Sequence, residues 1–444
     1  MTAMAWSSID SVLFGAHLKS TLAAIDAAMA ATGHDALVIH AGEPRMFFQD
    51  DQASPFRINP WFAWLVPAPP APGSLLRIQR GETPELLFVA PDDYWHSPPA
   101  VPAAPWTTSF RLRAAATSRA ALDDLPASAG RIAWLGEMPA PEQGWEANPA
   151  PLLEQLEQIR CRKSAYEIHC LREATAIGVA GHLAAERAFR SGRSEFDIHL
   201  AYLGAVRQTD EELPYHSIIG LNEHAATLHY QLRDREPPPR SLSLLIDAGA
   251  SCRGYGSDIT RTWAMGPGTF AALVEGVHEL QQELCAAVAP GVDWRELHLT
   301  AHRLVGRLLH SAGVLKIDAQ QAVERGITST FLPHGLGHLL GIQVHDVGGF
   351  KPGARSEPIP RPPGHPALRL TRKLEAGMVV TVEPGIYFID SLLAALRAGP
   401  HAGTVNWTLV DTLSACGGIR IEDNVLVTAA GHDNLTRTGF AGCA

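Results

Sequence analysis

The sequence predicts two folded parts: an α/β domain over residues 1–160, and over residues 161–444 an α+β domain of strands faced by a few long helices. Three observations carry this reading. Helical and strand-like runs alternate through the first part, as α/β architectures require. Proline-rich stretches at Ser97–Pro105 and Pro139–Pro151 interrupt that alternation and read as loops. Beyond the boundary, placed near Gln158–Lys163, apolar residues recur at helical spacing behind capping signals.

In order, a helix is expected through Ser8–Thr32, followed by strand-like runs at Ala36–His40, Leu75–Arg80, Glu85–Ala90 and Arg131–Gly136. Ser164 with Glu167 is a capping-box signature, after which Ile168, Leu171, Ala174 and Ile177 share a helix face. Ser194 with Asp197 repeats a weaker version of it. Two more helices are expected at Thr269–Val288 and Trp294–Ala312, and no repeat at a solenoid period is evident. The triple proline Pro237–Pro239 reads as a stiff loop.

Five residues read together as the ligand set of a two-metal site: Asp247, Asp258, His338, Glu383 and Glu422. Singly, an Asp at a strand end is usually a turn or cap residue, and a lone His in a Gly-rich loop is usually structural; the set outweighs its members. Asp247 closes the apolar run in LSLLIDAGA and Asp258 stands in SDITRTW, two runs whose joining turn SCRGYG predicts an antiparallel hairpin with the two carboxylates face to face. Glu383, in VVTVEPGIYF, is expected where a strand ends and a loop opens at Pro384-Gly385. Glu422 lies in GGIRIEDNVLV, whose alternation puts Arg420 and Glu422 on one face of a single strand.

Charge arithmetic favours cations at such a cluster. Four carboxylates in a pocket of low dielectric repel one another and force protonation unless positive charge compensates, and two divalent ions supply it. A hydroxide bridging two ions ~3.5–4 Å apart would be a nucleophile at neutral pH. Oxygen-rich ligation with one imidazole favours Mn2+, with Co2+ possible on the same chemistry, over a closed thiolate zinc site.

The rest of the chain bounds the function. A net charge of -10 over 444 residues argues against nucleic acid, which needs a basic face. Hydrophobic content of 46% with 18% charged residues is that of a globular enzyme. The cysteines Cys161, Cys170, Cys252, Cys285, Cys416 and Cys443 show no CxxC spacing, which points to reduced thiols and a cytoplasmic setting. MTAMAWSSIDSVLFGAHL lacks a basic leader, and no uncharged run of membrane-spanning length follows, so no membrane partner is expected.

Motifs along nearly the whole chain, FFQDDQASPFRINPWFAWLVP, PDDYWH, SAYEIHCLREA, LPYHSIIGLNEHAATLHY, LIDAGA, SDITRTW, FLPHGLGHLLGIQVHDVGGF, LRLTRKL, TVEPGIYFIDSLL and GGIRIEDN, resemble the bacterial Xaa-Pro dipeptidases (prolidases) among the pita-bread metallopeptidases. They are also similar to the organophosphorus acid anhydrolases, which are prolidases with a promiscuous second activity. The resemblance implies a creatinase/aminopeptidase-like pita-bread catalytic domain behind an N-terminal domain serving dimerisation. It implies that Asp247 binds one ion, that Asp258 and Glu422 bridge both, and that His338 and Glu383 complete the ligand set of the other ion. His229 and His345 match histidines that line the substrate pocket, and His334 matches a nearby non-ligand of the substrate site. Arg369 matches the arginine that holds the substrate carboxylate, and Arg420 the one that supports Glu422. Tyr215 matches a pocket-lining position, as does Asp51, which in a homodimer reaches the neighbouring site. His216 and Cys416 depart from the pattern at positions expected near the pocket.

The implied reaction is hydrolysis of an Xaa-Pro dipeptide, and because the cis and trans isomers interconvert slowly only one of them, the trans form, is expected to be consumed quickly. Glu383 would pass a proton from water to the leaving nitrogen, and a buried Arg369 would select the free carboxylate. The competing readings are an Xaa-Pro aminopeptidase on longer peptides, a metal-free creatinase-like C–N hydrolase, and a non-catalytic pita-bread domain that binds peptides.

Overall fold

The computed structural model describes residues 9–92, 94, 99–125, 130–141 and 144–442, and the chain divides into two compact units. One comprises residues 1–160 with 164–168 and 353–355; the other holds 161–163, 169–352 and 356–444. The expected helix start at Ser8, Trp95 and its neighbours through Pro98, and Cys443 lie outside the described residues.

In the first unit a six-stranded sheet runs in the order β4-β3-β2-β1-β5-β6, with β1 Ala36–His40, β2 Leu75–Gln79, β3 Glu85–Val89, β4 Arg111–Ala115, β5 Ile132–Leu135 and β6 Glu146–Ala147. β1 pairs antiparallel to β2 and parallel to β5, the mixed pattern of an α/β sheet. The helix Ser11–Thr32 starts where the Asp10 carboxylate accepts the amides of Val12 and Leu13, and its buried face carries Phe14, Leu18, Ile25 and Met29 at helical spacing. The edge strand β4 was not foreseen. Its sequence RLRAA has no β-branched or aromatic residue and is largely exposed, so it joins the sheet through backbone pairing with β3. The loop expected at Pro139–Pro151 contains β6 and, from Ala150, the start of a helix.

Helices Ala165–Arg190, whose residues from 169 on belong to the second unit, and Glu195–Val206 both have the caps the sequence announces. Ser164 and Glu167 exchange backbone-to-side-chain bonds, and Ser194 accepts the Asp197 amide. Helices Thr269–Ala286 and Trp294–Ser311 end within two residues of expectation. They pack Val277, Leu280, Leu284, Val305 and Leu309 against a buried strand layer that includes Val380, Val382, Ile419 and Val425.

That layer consists of short antiparallel ladders. β7 Ile218–Leu221, β8 Ser243–Asp247 and β11 Thr260–Ala264 form one, with the small hairpin β9 Ser251–Cys252 and β10 Tyr255–Gly256 at its turn. β12 Val379–Val382 pairs with β15 Asp423–Val427, which also holds β16 His432–Asn434, while β13 Gly385–Tyr387 pairs with β14 Gly418–Arg420.

Three sequence expectations need correction here. The residue opposite Asp247 is Thr260; Asp258 precedes β11 by two residues and so points to the same side as Thr260. No loop opens after Glu383, because the chain passes through Glu383-Pro384 straight into β13. The run around Glu422 is two strands, β14 and β15, broken at Ile421-Glu422. Both breaks fall at one level, because Pro384 has no N–H to give the ladder. Among the described residues no helix is long and apolar enough to cross a membrane.

Candidate metal centre

The ladder ends converge on a cavity of about 480 Å³, within the range of small-molecule sites. Its wall includes all five expected ligands, Asp247, Asp258, His338, Glu383 and Glu422, and also His229, His334, His345, Arg369 and Arg420. Asp258, His338 and Glu422 each offer a donor atom within 4.8 Å of one another. His338 Nε2 lies 3.4 Å from Asp258 and 3.7 Å from Glu383. The histidine is set for ligation: its Nδ1 sits 3.0 Å from the Leu339 carbonyl, an outer contact that fixes the ring and turns Nε2 toward the carboxylates. Gly337 brings it into place, since a Cβ at that residue would stand 2.1 Å from the Thr381 carbonyl oxygen. Thr381 then ties the loop to β12, its hydroxyl accepting the His338 amide at 3.1 Å.

Electrostatics shows what the cluster lacks. Burial, followed by the charges of Asp258, Glu383 and Asp247, pushes the Glu422 carboxyl well above its ordinary range. Burial raises Glu383 to about 7, and it raises Asp247 despite the neighbouring Arg420. Asp258 alone is lowered: burial opposes its ionisation, but the His338 hydrogen bond and charge outweigh it. A pocket whose carboxylates are mutually unfavourable and point at one space is matched to cations, so the donor set fits divalent metal binding.

The supporting residues differ in part from expectation. Arg420 makes its ion pair with Asp247, 2.5 Å from Oδ2, and reaches Glu422 only through Thr260, whose hydroxyl lies 2.6 Å from Glu422 Oε2. Tyr215 sits behind the ligands with its hydroxyl 2.6 Å from Asp247 and 2.7 Å from Asp258, so it orients carboxylates and is not among the cavity-lining residues. Arg369 is exposed at the rim, where a buried position was expected. His216 is exposed and Cys416 packs on the apolar core, so neither lines the cavity. Asp51 belongs to the N-terminal unit, where it is exposed in a turn.

His334 and His345 are both lowered to about 4, burial first, which makes them neutral hydrogen-bonding groups at pH 7. His345 stands edge-on to His338 with ring centroids 4.4 Å apart. Its loop is anchored by the buried pair of Asp346 and Lys163, 3.0 Å apart. His229 is exposed at the mouth.

Two participants escaped sequence reasoning. Tyr387 donates or accepts at 2.9 Å with His334 and accepts from Arg420 at 2.7 Å, linking the substrate side to the ligand side. Its position two residues past Gly385 in VEPGIYF carried no polar pattern. Arg361 lines the cavity near Arg369, with its guanidinium 4.7 Å above the Phe350 ring and its Nε donating to the Leu368 carbonyl. The proline-rich segment around it reads as plain loop.

Comparison with known proteins agrees with this geometry. Residues 169–429 match the model of metallopeptidase family M24, and residues 12–158 match that of the Xaa-Pro dipeptidase N-terminal domain. The chain is 46% identical over 431 residues to an Xaa-Pro dipeptidase of Stenotrophomonas maltophilia (strain K279a), covering 97% of each chain. It is 46% identical over 433 residues to one of Xanthomonas campestris pv. campestris (strain B100), covering 97% of this chain and 98% of that one. Among solved structures, aminopeptidase P of E. coli with the inhibitor Pro-Leu superposes with a TM-score of 0.74 at 23% identity, over 97% of this chain and 96% of that one. Aminopeptidase PepP of Pseudomonas aeruginosa gives 0.72 at 23%, over 96% and 98%. The fold is the pita-bread fold that the motifs imply.

Proposed function

The chain belongs to metallopeptidase family M24, and from that premise we propose that it hydrolyses Xaa-Pro dipeptides carrying a free proline carboxylate. The observation that carries this reading is one cavity with a carboxylate–histidine cluster at its base and Arg369 at its rim. Asp247, Asp258, His338, Glu383 and Glu422 would hold two divalent cations, manganese by preference for so many oxygen donors, which supply Lewis acidity toward water and the scissile carbonyl.

The remaining work falls to this chain's side chains. An Xaa-Pro nitrogen has no hydrogen and must gain one to leave. Glu383 accepts a proton from water and returns it to that nitrogen. His345 and His229 hydrogen-bond the carbonyl oxygen as negative charge develops on it. Arg369 pairs with the proline carboxylate, and a longer peptide would offer it a neutral amide. Arg420 and Tyr215 keep Asp247 in its orientation. The similarity to organophosphorus acid anhydrolases extends the reading to phosphotriesters as side substrates. A homodimer to which the N-terminal unit and Asp51 contribute, working in the cytoplasm, completes it.

The test is a panel of Xaa-Pro dipeptides and Xaa-Pro-Xaa tripeptides, assayed after chelation and after addition of manganese. Dipeptide cleavage restored by manganese, with tripeptides resistant, is the expected result. Equal cleavage of tripeptides would assign an aminopeptidase instead, and indifference to chelation would remove the metals.

A further inference from the structure

We infer that His298, His302 and His365 form a further metal site, separate from the carboxylate cluster, that takes a single borderline dication of the zinc type. His298 and His302 are four residues apart on the helix Trp294–Ser311 and therefore share a face. His365 approaches them from the loop that carries Arg361 and Arg369. One ring nitrogen from each lies within 4.8 Å of the others, and the three ring centroids are 4.5–4.7 Å apart.

The bonding within the cluster is incomplete in a way that a cation would complete. His298 Nε2 and His365 Nδ1 share one hydrogen bond at 2.9 Å. His302 Nδ1 is occupied by the Thr328 hydroxyl at 3.0 Å, the outer contact that fixes a ligating imidazole. His302 Nε2 and His298 Nδ1 are buried without a hydrogen-bond partner among the described residues, in side chains 0% and 1% exposed. With His298 turning Nε2 toward His365, the atom that a shared cation would partner is His302 Nε2, since leaving a buried nitrogen unpaired is costly. Tetrahedral ligation at ~2.0–2.1 Å sets nitrogens ~3.3 Å apart, between the 2.9 Å His298–His365 contact and the 4.8 Å that bounds the cluster.

The donor chemistry separates this site from the first. Three imidazoles and no carboxylate suit zinc or copper(II) and are poor for manganese. Burial keeps His298 and His302 neutral, the form that binds metal. The fourth position is left for water or an anion, reached from the half-buried His365 side. A cation held there would fasten the Arg361–Arg369 wall of the cavity to the helix.

Manganese-loaded enzyme, exposed to zinc and then gel-filtered, is compared as wild type, His365→Ala and His302→Gln by metal content. Crystals of the wild type are measured on both sides of the zinc absorption edge. One zinc per chain more in the wild type than in either variant is expected, with at least ten-fold weaker zinc binding in His365→Ala and a zinc-specific peak among the three rings. Because these readouts are independent of substrate, they stand apart from the dipeptidase reading. Equal zinc in all three proteins, or a peak confined to the carboxylates, overturns the inference. If the variants do not fold, the wild-type peak alone decides.

Discussion

Glu383 and Glu422 are cross-strand partners at a break in the ladder. β12 pairs with β15 as Val382↔Asp423, β13 pairs with β14 as Gly385↔Arg420, and the register is the same on both sides, which sets the two glutamates opposite each other. Burial and the neighbouring carboxylates push Glu422 well above its ordinary range, so without cations folding carries the cost of suppressing its ionisation. Glu422→Gln removes that cost. In chelated enzyme the variant should be about 1 kcal/mol more stable than wild type by urea titration, yet manganese should raise its melting temperature less and activity should be lost. A chelated variant less stable than wild type would mean that folding carries no such cost.

Arg369→Ala should raise KM for Xaa-Pro dipeptides far more than it lowers kcat. The guanidinium stands at the exposed rim, and a group that holds the proline carboxylate away from the bond that breaks would contribute uniform binding. The check is a full rate-against-concentration curve, and an unchanged KM would remove the assignment.

Gly337→Ala should reduce kcat by roughly 100-fold, because an error of about 1 Å in a catalytic group has that effect. The added methyl would meet the Thr381 carbonyl, and the strand must part from the His338 loop to admit it. Manganese affinity measured by titration should fall with it; intact affinity would show that the loop adapts.

Acid should unfold the protein partly through its buried histidines. His298 is held to about 2, by burial first and then by His302 and His365, and His302 to about 3, by burial first and then by His365 and His334. Both stay neutral in the folded chain, whereas in the unfolded chain they take up protons below pH ~6.5. The unfolded state therefore binds more protons in the window between those values, and stability falls as pH drops through it. At pH 5 the loss is about 2 kcal/mol for each. Urea midpoints of chelated enzyme at pH 7.5 and 5 should differ less in His302→Gln than in wild type. Equal differences would point to other groups.

What was legible in the sequence follows physical lines. The capped helices, the apolar strands and the polar interruptions at Asp247, Glu383 and Glu422 were readable because each is a local pattern. Arg420 pairing with Asp247 was not, since those strands meet only in three dimensions. The break at Pro384 is visible as a proline, but its partner break at Ile421-Glu422 carries no mark, because it is imposed by the strand across from it. Tyr387, Arg361 and the His298–His302–His365 cluster were missed for the same reason: the groups that give them meaning come from distant segments.

The five residues of the carboxylate cluster are drawn from β8 through to the junction of β14 and β15, well over half of the second unit. Such a cluster rests on contacts of long sequence separation, the kind that slows folding. During synthesis the last glutamate emerges just ahead of the closing strands and helix, so an incomplete chain holds only part of the cluster. A chain that stops short of residue 422 lacks one carboxylate of the set.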